Sequence, residues 1–285
     1  MSAVLTRAGY GLEGLLLVAG ALVLLRLALE RQRESGGSPA PGCPAAPAFP
    51  PWPGTVSDLF LLFAVAVGGA LLLPVIASFA LRHAPLGETN ARFIIMIPAF
   101  EAGLLAGICC FHYGYLRLAP SARAPALHSA LVLGALTFLA AFPIVGAVNF
   151  GWTAALDRVG MHVSEQTVAQ LFQELPSLPL RIAFGFFACV AAPFNEELLF
   201  RAGIFRCLRS RMPRWAAILI SALIFGAAHW ALDRQAGAAS FLPLVAFGIV
   251  LAVAYERTGR ISTTIIAHAL FNLNSLLALC VGLNA

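Results

Sequence analysis

Eight long apolar runs, separated by short polar or arginine-bearing segments, dominate the chain. They lie near 9–29, 58–81, 93–116, 128–150, 181–205, 215–232, 241–256 and 262–282. About 20 helical residues cross the hydrocarbon core of a bilayer, so each run reads as a membrane span. The fold class predicted is all-α, a polytopic membrane helical bundle of about eight transmembrane helices. The seventh run is short, and Pro243 near its start predicts a kink or a first helical turn. Residues 1–57 divide into one transmembrane helix and a linker whose core, Gly36 to Gly54, is rich in Pro, Gly, Ala and Ser and has little reason to fold. Residues 58–179 hold spans two to four and an extramembrane or interfacial segment. Residues 180–285 form a further helical core. The N-terminal run contains Arg26 and lacks a cleavage site after it, so it reads as a retained span rather than a signal peptide. Between spans four and five, Asp157 to Gln173 is amphipathic. Val163, Val168, Leu171 and Phe172 fit either a membrane-surface helix or an ordinary extramembrane one.

Composition sharpens this picture. The 285 residues are 60% hydrophobic and 11% charged, with a mean hydropathy of +0.87. Soluble domains carry about 25% charged residues. All 18 cations are arginine, and the net charge is +5. The arginines cluster between spans, so the basic balance reflects membrane topology and not nucleic-acid binding. Arg206, Arg209, Arg211 and Arg214 fall together in one loop, and the loops on that side carry eleven arginines against six on the other. The positive-inside rule places the Arg206–Arg214 loop in the cytoplasm and both termini outside. Cys43, Cys109, Cys110, Cys189, Cys207 and Cys280 contain no Cys-x-x-Cys pair. They read as small buried hydrophobes, not as a disulfide or zinc framework.

Against this background the charge in span five stands out. Glu196, Glu197 and Arg201 lie in an apolar helix, where each charged residue costs roughly 2.5–3.5 kcal/mol near the bilayer centre. Glu197 and Arg201 are four apart and share a face, with the glutamate first, the favourable order. Glu196 points about 100° away and needs a partner from another helix. This splits the roles: Glu197 and Arg201 as support, Glu196 as chemistry. Phe225 and His229 are four apart in span six, and His268 and Asn272 are four apart in span eight. Intramembrane histidine and asparagine require hydrogen-bond partners, which helix–helix contacts alone could supply. Together the residues also make a hydrolytic set. Glu196 can be general base to a water, His229 can orient that water, and His268 and Asn272 can donate to an oxyanion. Glu101, inside span three, could line a substrate path.

These motifs resemble those of the CAAX protease and bacteriocin-processing (CPBP, or Abi) family of intramembrane proteases. The family carries Glu-Glu-x-x-x-Arg, Phe-x-x-x-His and His-x-x-x-Asn/Asp on successive membrane helices. Here they are Glu196-Glu197 with Arg201, Phe225 with His229, and His268 with Asn272, in order and within about 80 residues. The resemblance covers about residues 180–285 and makes that segment a CPBP-like catalytic core. Many members place Gly directly after the motif arginine, whereas this chain has Ala202-Gly203. The resemblance implies an endopeptidase acting on a membrane-associated, possibly lipidated, protein or peptide. It implies catalytic Glu196, His229, His268 and Asn272, with Glu197, Arg201 and Phe225 in support. Such enzymes have been read both as metalloproteases and as metal-free glutamate proteases. Glu196, His229 and His268 suit zinc in ligand type, but there is no His-Glu-x-x-His pair, and the metal-free reading is preferred.

Three other classes fit the same residues. A proton-coupled transporter could use the Glu/His/Arg cluster as a relay, although no paired repeat of broken helices is visible. A catalytically silent scaffold could shelter a partner. A haem could sit between His229 and His268, which a colourless preparation would exclude. Three observations separate these readings: Glu196→Gln abolishes cleavage by a hydrolase without unfolding it, a relay shows pH-driven flux in proteoliposomes, and a scaffold tolerates Glu196→Gln but fails on surface changes.

Overall fold

A computed structural model describes residues 2–35, 51–83, 96–115, 127–161, 167–232 and 237–281. Helices α1 (Ser2–Ser35), α2 (Val56–Ala80), α3 (Ile97–Gly114) and α4 (Leu127–Arg158) are followed by a short α5 (Thr167–Glu174). The fifth span begins as α6 (Leu178–Phe186), passes through a π-helical turn (Phe187–Ala191), and continues as α7 (Ala192–Glu197). A second π-helical stretch (Leu198–Phe205) then leads into α8 (Arg206–Arg209). Helices α9 (Arg214–Leu232), α10 (Gly237–Thr258) and α11 (Ile261–Cys280) complete the bundle. No strand occurs among the described residues, and eight helices are long and apolar enough to cross a membrane. The chain is an all-α integral membrane protein.

Most boundaries fall within a few residues of the expected spans, although α1 runs past both ends of its span, from Ser2 to Ser35. Two further differences have physical reasons. Span four runs on to Arg158, because its amphipathic end continues the helix until Gly160, whose φ of 76° stops it. Helix α10 starts at Gly237, so Pro243 lies inside it, buried, rather than in its first turn. Phe172 is buried against Phe184, their ring centroids 5.4 Å apart, with Leu175 beside them. That aromatic contact docks α5 onto the start of the fifth span, so Phe172 belongs to the bundle and not to a membrane surface. Cys110 and Cys280 are exposed rather than buried, on outward faces of their helices. The linker core 36–50 with Cys43, the loop arginines Arg92, Arg117, Arg123 and Arg234, and the side chains of Val163 and Val168 lie outside the described residues.

Lipid tails are as apolar as leucine, so membrane helices associate through close packing. Helices α2 and α3 show this at Gly69 and Gly103. A β-carbon on either would sit 2.1–2.3 Å from the other's carbonyl oxygen. Gly20 of α1 uses another device. Pro143 in α4 has no N–H for the Leu139 carbonyl four residues earlier. Gly20 packs against that oxygen so closely that a β-carbon would meet it at 2.2 Å.

Loop contacts fix which helix ends share a side. Arg206 Nη2 donates to Pro51 O at 2.6 Å, and the Trp52 amide donates to Ser210 Oγ at 2.8 Å. At the same end, Arg260 Nη1 donates to Ser129 Oγ at 3.1 Å, and Arg209 and Arg214 both pair with Glu256. At the opposite end, Trp152 Nε1 donates to Ala238 O at 2.7 Å, and Thr6 Oγ1 to Val281 O at 3.0 Å.

Candidate active site

The three motifs meet inside the bundle. Glu197 and Arg201, one turn apart, form the expected ion pair: Arg201 Nη1 lies 2.9 Å from Glu197 Oε1, with both side chains at most 3% exposed. The guanidinium also covers the Phe225 ring, 4.5 Å from its centroid. Phe225 is fully buried and forms the floor of the site. Its ring touches those of His229 (4.6 Å), Phe200 (5.0 Å) and His268 (6.0 Å between centroids).

The partner that Glu196 lacked on its own helix comes from two others. Its Oε2 lies 3.5 Å from His229 Nε2 on α9 and 3.9 Å from His268 Nε2 on α11. Each imidazole is aimed by its other nitrogen. His229 Nδ1 lies 2.9 Å from the Phe225 carbonyl, the backbone acceptor one turn earlier. That spacing is a physical reason for a Phe-x-x-x-His pattern: the carbonyl fixes the ring and leaves Nε2 toward Glu196. His268 Nδ1 lies 2.9 Å from Glu197 Oε1. Glu197 therefore serves two groups, Arg201 and His268, where the sequence indicated only the first. Phe247 braces His268 edge-on at 5.3 Å.

Asn272 follows His268 on the same face. Its Nδ2 donates to Ala188 O at 2.8 Å. The π turn explains why that oxygen is available. In this turn the Ala192 amide reaches back five residues to Phe187 O. The next amide in that register belongs to position 193, which is proline and has no N–H. The Ala188 carbonyl is left for a side chain, and Asn272 takes it. π-Helical turns occur often at functional sites.

Exposure grades across the cluster. The side chains of Glu197 and Arg201 are sealed, His268 is 5% exposed, Glu196 21% and His229 30%. The site opens on the side of Glu196 and His229. Asn195 Oδ1, Glu196 Oε2 and Glu197 Oε2, on three consecutive residues, are buried acceptors without a hydrogen-bond donor. Glu196, His229 and His268 carry zinc-type donor atoms, but no trio of His, Cys, Asp and Glu side chains is arranged to hold a metal ion among the described residues.

Asn195 was not anticipated from the sequence. It is 1% exposed, and its Nδ2 donates to Glu101 Oε2 at 2.7 Å and to Glu101 O at 3.0 Å. Glu101 of α3 thus reaches the neighbour of Glu196. An asparagine two residues after a proline inside a membrane span was the available signal.

The Glu196 carboxylate thus lies between two imidazoles, each oriented through its other nitrogen. Residues 178–274 match the family described as "Type II CAAX prenyl endopeptidase Rce1-like". The resemblance drawn from the motifs thus holds for the segment that carries all three. Over 109 residues the chain is 34% identical to the Bacillus subtilis (strain 168) protein named "Putative membrane peptidase YdiL". That alignment covers 38% of this chain, and the chain spans 41% of that relative's length. No solved structure matches the chain.

Proposed function

We propose that the protein is an intramembrane endopeptidase that hydrolyses a peptide bond of a membrane-associated protein or peptide, lipidated or not. The observation that carries this reading is the convergence of two histidine Nε2 atoms, each anchored through Nδ1, on one oxygen of Glu196. Glu196 accepts a proton from a water while that water attacks the scissile carbonyl. A positioned base of this kind contributes about 10²–10⁴-fold. His229, with Nδ1 held by Phe225 O, presents Nε2 to the same water and shares its proton. His268, backed by the Glu197 carboxylate, donates from Nε2 to the oxyanion when it carries its second proton. Asn272 uses one N–H on Ala188 O and has a second for the same oxyanion. Each oxyanion donor is worth about 10²–10³-fold. The apolar helices around the site exclude bulk water, which strengthens both effects.

The proton taken by Glu196 then passes to the leaving amine. No step in this sequence requires a metal.

The test compares protein N- and C-termini in host membranes holding the wild type or Glu196→Gln at equal abundance. Termini that vanish with Glu196→Gln identify proteolysis and its substrate together. Unchanged termini in the presence of a folded, abundant variant would overturn the reading in favour of a scaffold or a proton relay.

A further inference from the structure

A cavity of about 400 Å³ opens on the flank of the bundle beside the cluster. Helix α3 contributes Leu105, the fifth span Phe187 and Phe194, and α11 Ile266 and Ala269. Its polar lining residues are Glu101 and Asn195. Two lining residues are chain neighbours of the site, Asn195 before Glu196 and Ala269 after His268, while Glu196, His229, His268 and Asn272 themselves do not line the cavity. Leu105 and Glu101 come from a helix outside the three motifs, so the groove has a wall that the motifs do not supply.

Hydrogen bonding fixes the Asn195 amide. The Glu101 backbone carbonyl can only accept, so the amide nitrogen must face it, and Oδ1 must point away. That oxygen is buried and has no donor. A hydrocarbon chain cannot supply one, whereas a peptide backbone carries an N–H at every non-proline residue.

We infer that this groove is a specificity subsite: it takes an apolar substrate side chain next to the scissile bond, while Asn195 Oδ1 accepts that residue's backbone N–H. The inference rests on the endopeptidase reading. Glu101 is a positioning residue, holding Asn195 in the accepting orientation.

Two experiments test it. In the first, synthetic leucine/alanine peptides carry one benzophenone-bearing phenylalanine at successive positions. They are irradiated with the full-length Glu196→Gln protein in detergent, and cross-linked residues are mapped by mass spectrometry. One peptide position should label Leu105 or Ile266, and unmodified peptide should compete that label away. Labels only elsewhere, or a groove label that peptide does not displace because lipid or detergent fills the space, would overturn the subsite. In the second, Leu105→Trp narrows the groove in the catalytically intact protein. The ratio of kcat/KM for leucine over alanine at the labelled position should fall about tenfold or more, the scale on which apolar pockets discriminate. An unchanged ratio would overturn the inference. Asn195→Leu keeps the volume and removes the acceptor, and should raise KM several-fold more than it lowers kcat. An unchanged KM would remove Asn195 from the subsite. Groove labelling without cleavage of any peptide by the wild type would leave the binding groove standing and remove the endopeptidase reading. Cleavage without groove labelling would do the reverse.

Discussion

At the residue scale, Glu196 and Glu197 are adjacent and chemically identical, and the fold gives them opposite surroundings. Glu197 is sealed, bonded to Arg201 and to His268. Glu196 is partly open and faces two imidazoles. Glu196→Gln should therefore lower the rate by about 10²–10⁴-fold with little change in thermal stability in detergent. Glu197→Gln should lose activity and also stability, by about 3–5 kcal/mol, because Arg201 is left buried without its counter-ion. Parallel melting curves and cleavage assays read the two effects. Equal melting temperatures for both variants would contradict the division of labour. Their different surroundings were legible in the sequence, since the helical angle between neighbours separates the two carboxylates. The Glu197–His268 bond was not. A contact between residues 71 positions apart depends on how the fifth span and α11 pack, which helical periodicity within one span does not specify.

At the element scale, the fifth span is segmented, and the segmentation does chemical work. The π turn before α7, with Pro193 behind it, frees the Ala188 carbonyl that Asn272 grips. Pro193→Ala would supply an N–H that competes for that oxygen. Hydrogen exchange at Ala188–Ala191 should quicken, and cleavage should slow even though the helix persists. Interhelical hydrogen bonds in membranes are worth about 0.6–2 kcal/mol, which sets the size of the loss. Hydropathy located the fifth span and its charges but could not reveal π turns, because one extra residue per turn hardly alters a run of apolar side chains. The contact between α2 and α3 gives a second prediction. Gly103→Ala places a β-carbon near 2.1 Å from the Gly69 carbonyl. The helices must part, which should cost about 1–3 kcal/mol, as overpacking does elsewhere, and should lower the melting temperature. Gly114→Ala, where nothing lies within 4 Å, is the control.

At the scale of the whole molecule, the eight spans and their alternation were readable because membranes demand long, uniformly apolar helices. The shared ends are now fixed by contacts such as Arg206 to Pro51 and Trp152 to Ala238. The arginine asymmetry gives the expected absolute orientation, with the Arg206–Arg214 loop cytoplasmic. A cysteine at Arg211 in an otherwise cysteine-free chain should resist an impermeant maleimide in intact cells and react after permeabilisation. Labelling in intact cells would invert the topology. The flank groove was hidden from the sequence for a different reason. Its walls are ordinary apolar residues drawn from three separate spans, and nothing in their local pattern differs from lipid-facing helix.

The π turn at Phe187–Ala191 also sets the helical phase of everything after it. Each residue advances an α-helix by about 100°. Winding the same residues as ordinary α-helix, with i→i+4 bonds in place of the i→i+5 bond of the turn, would keep every motif side chain in the chain. It would nevertheless swing the two glutamates by about that angle relative to α6. Both carboxylates would then face a different quadrant of the bundle, with the sequence signature intact and the site dismantled.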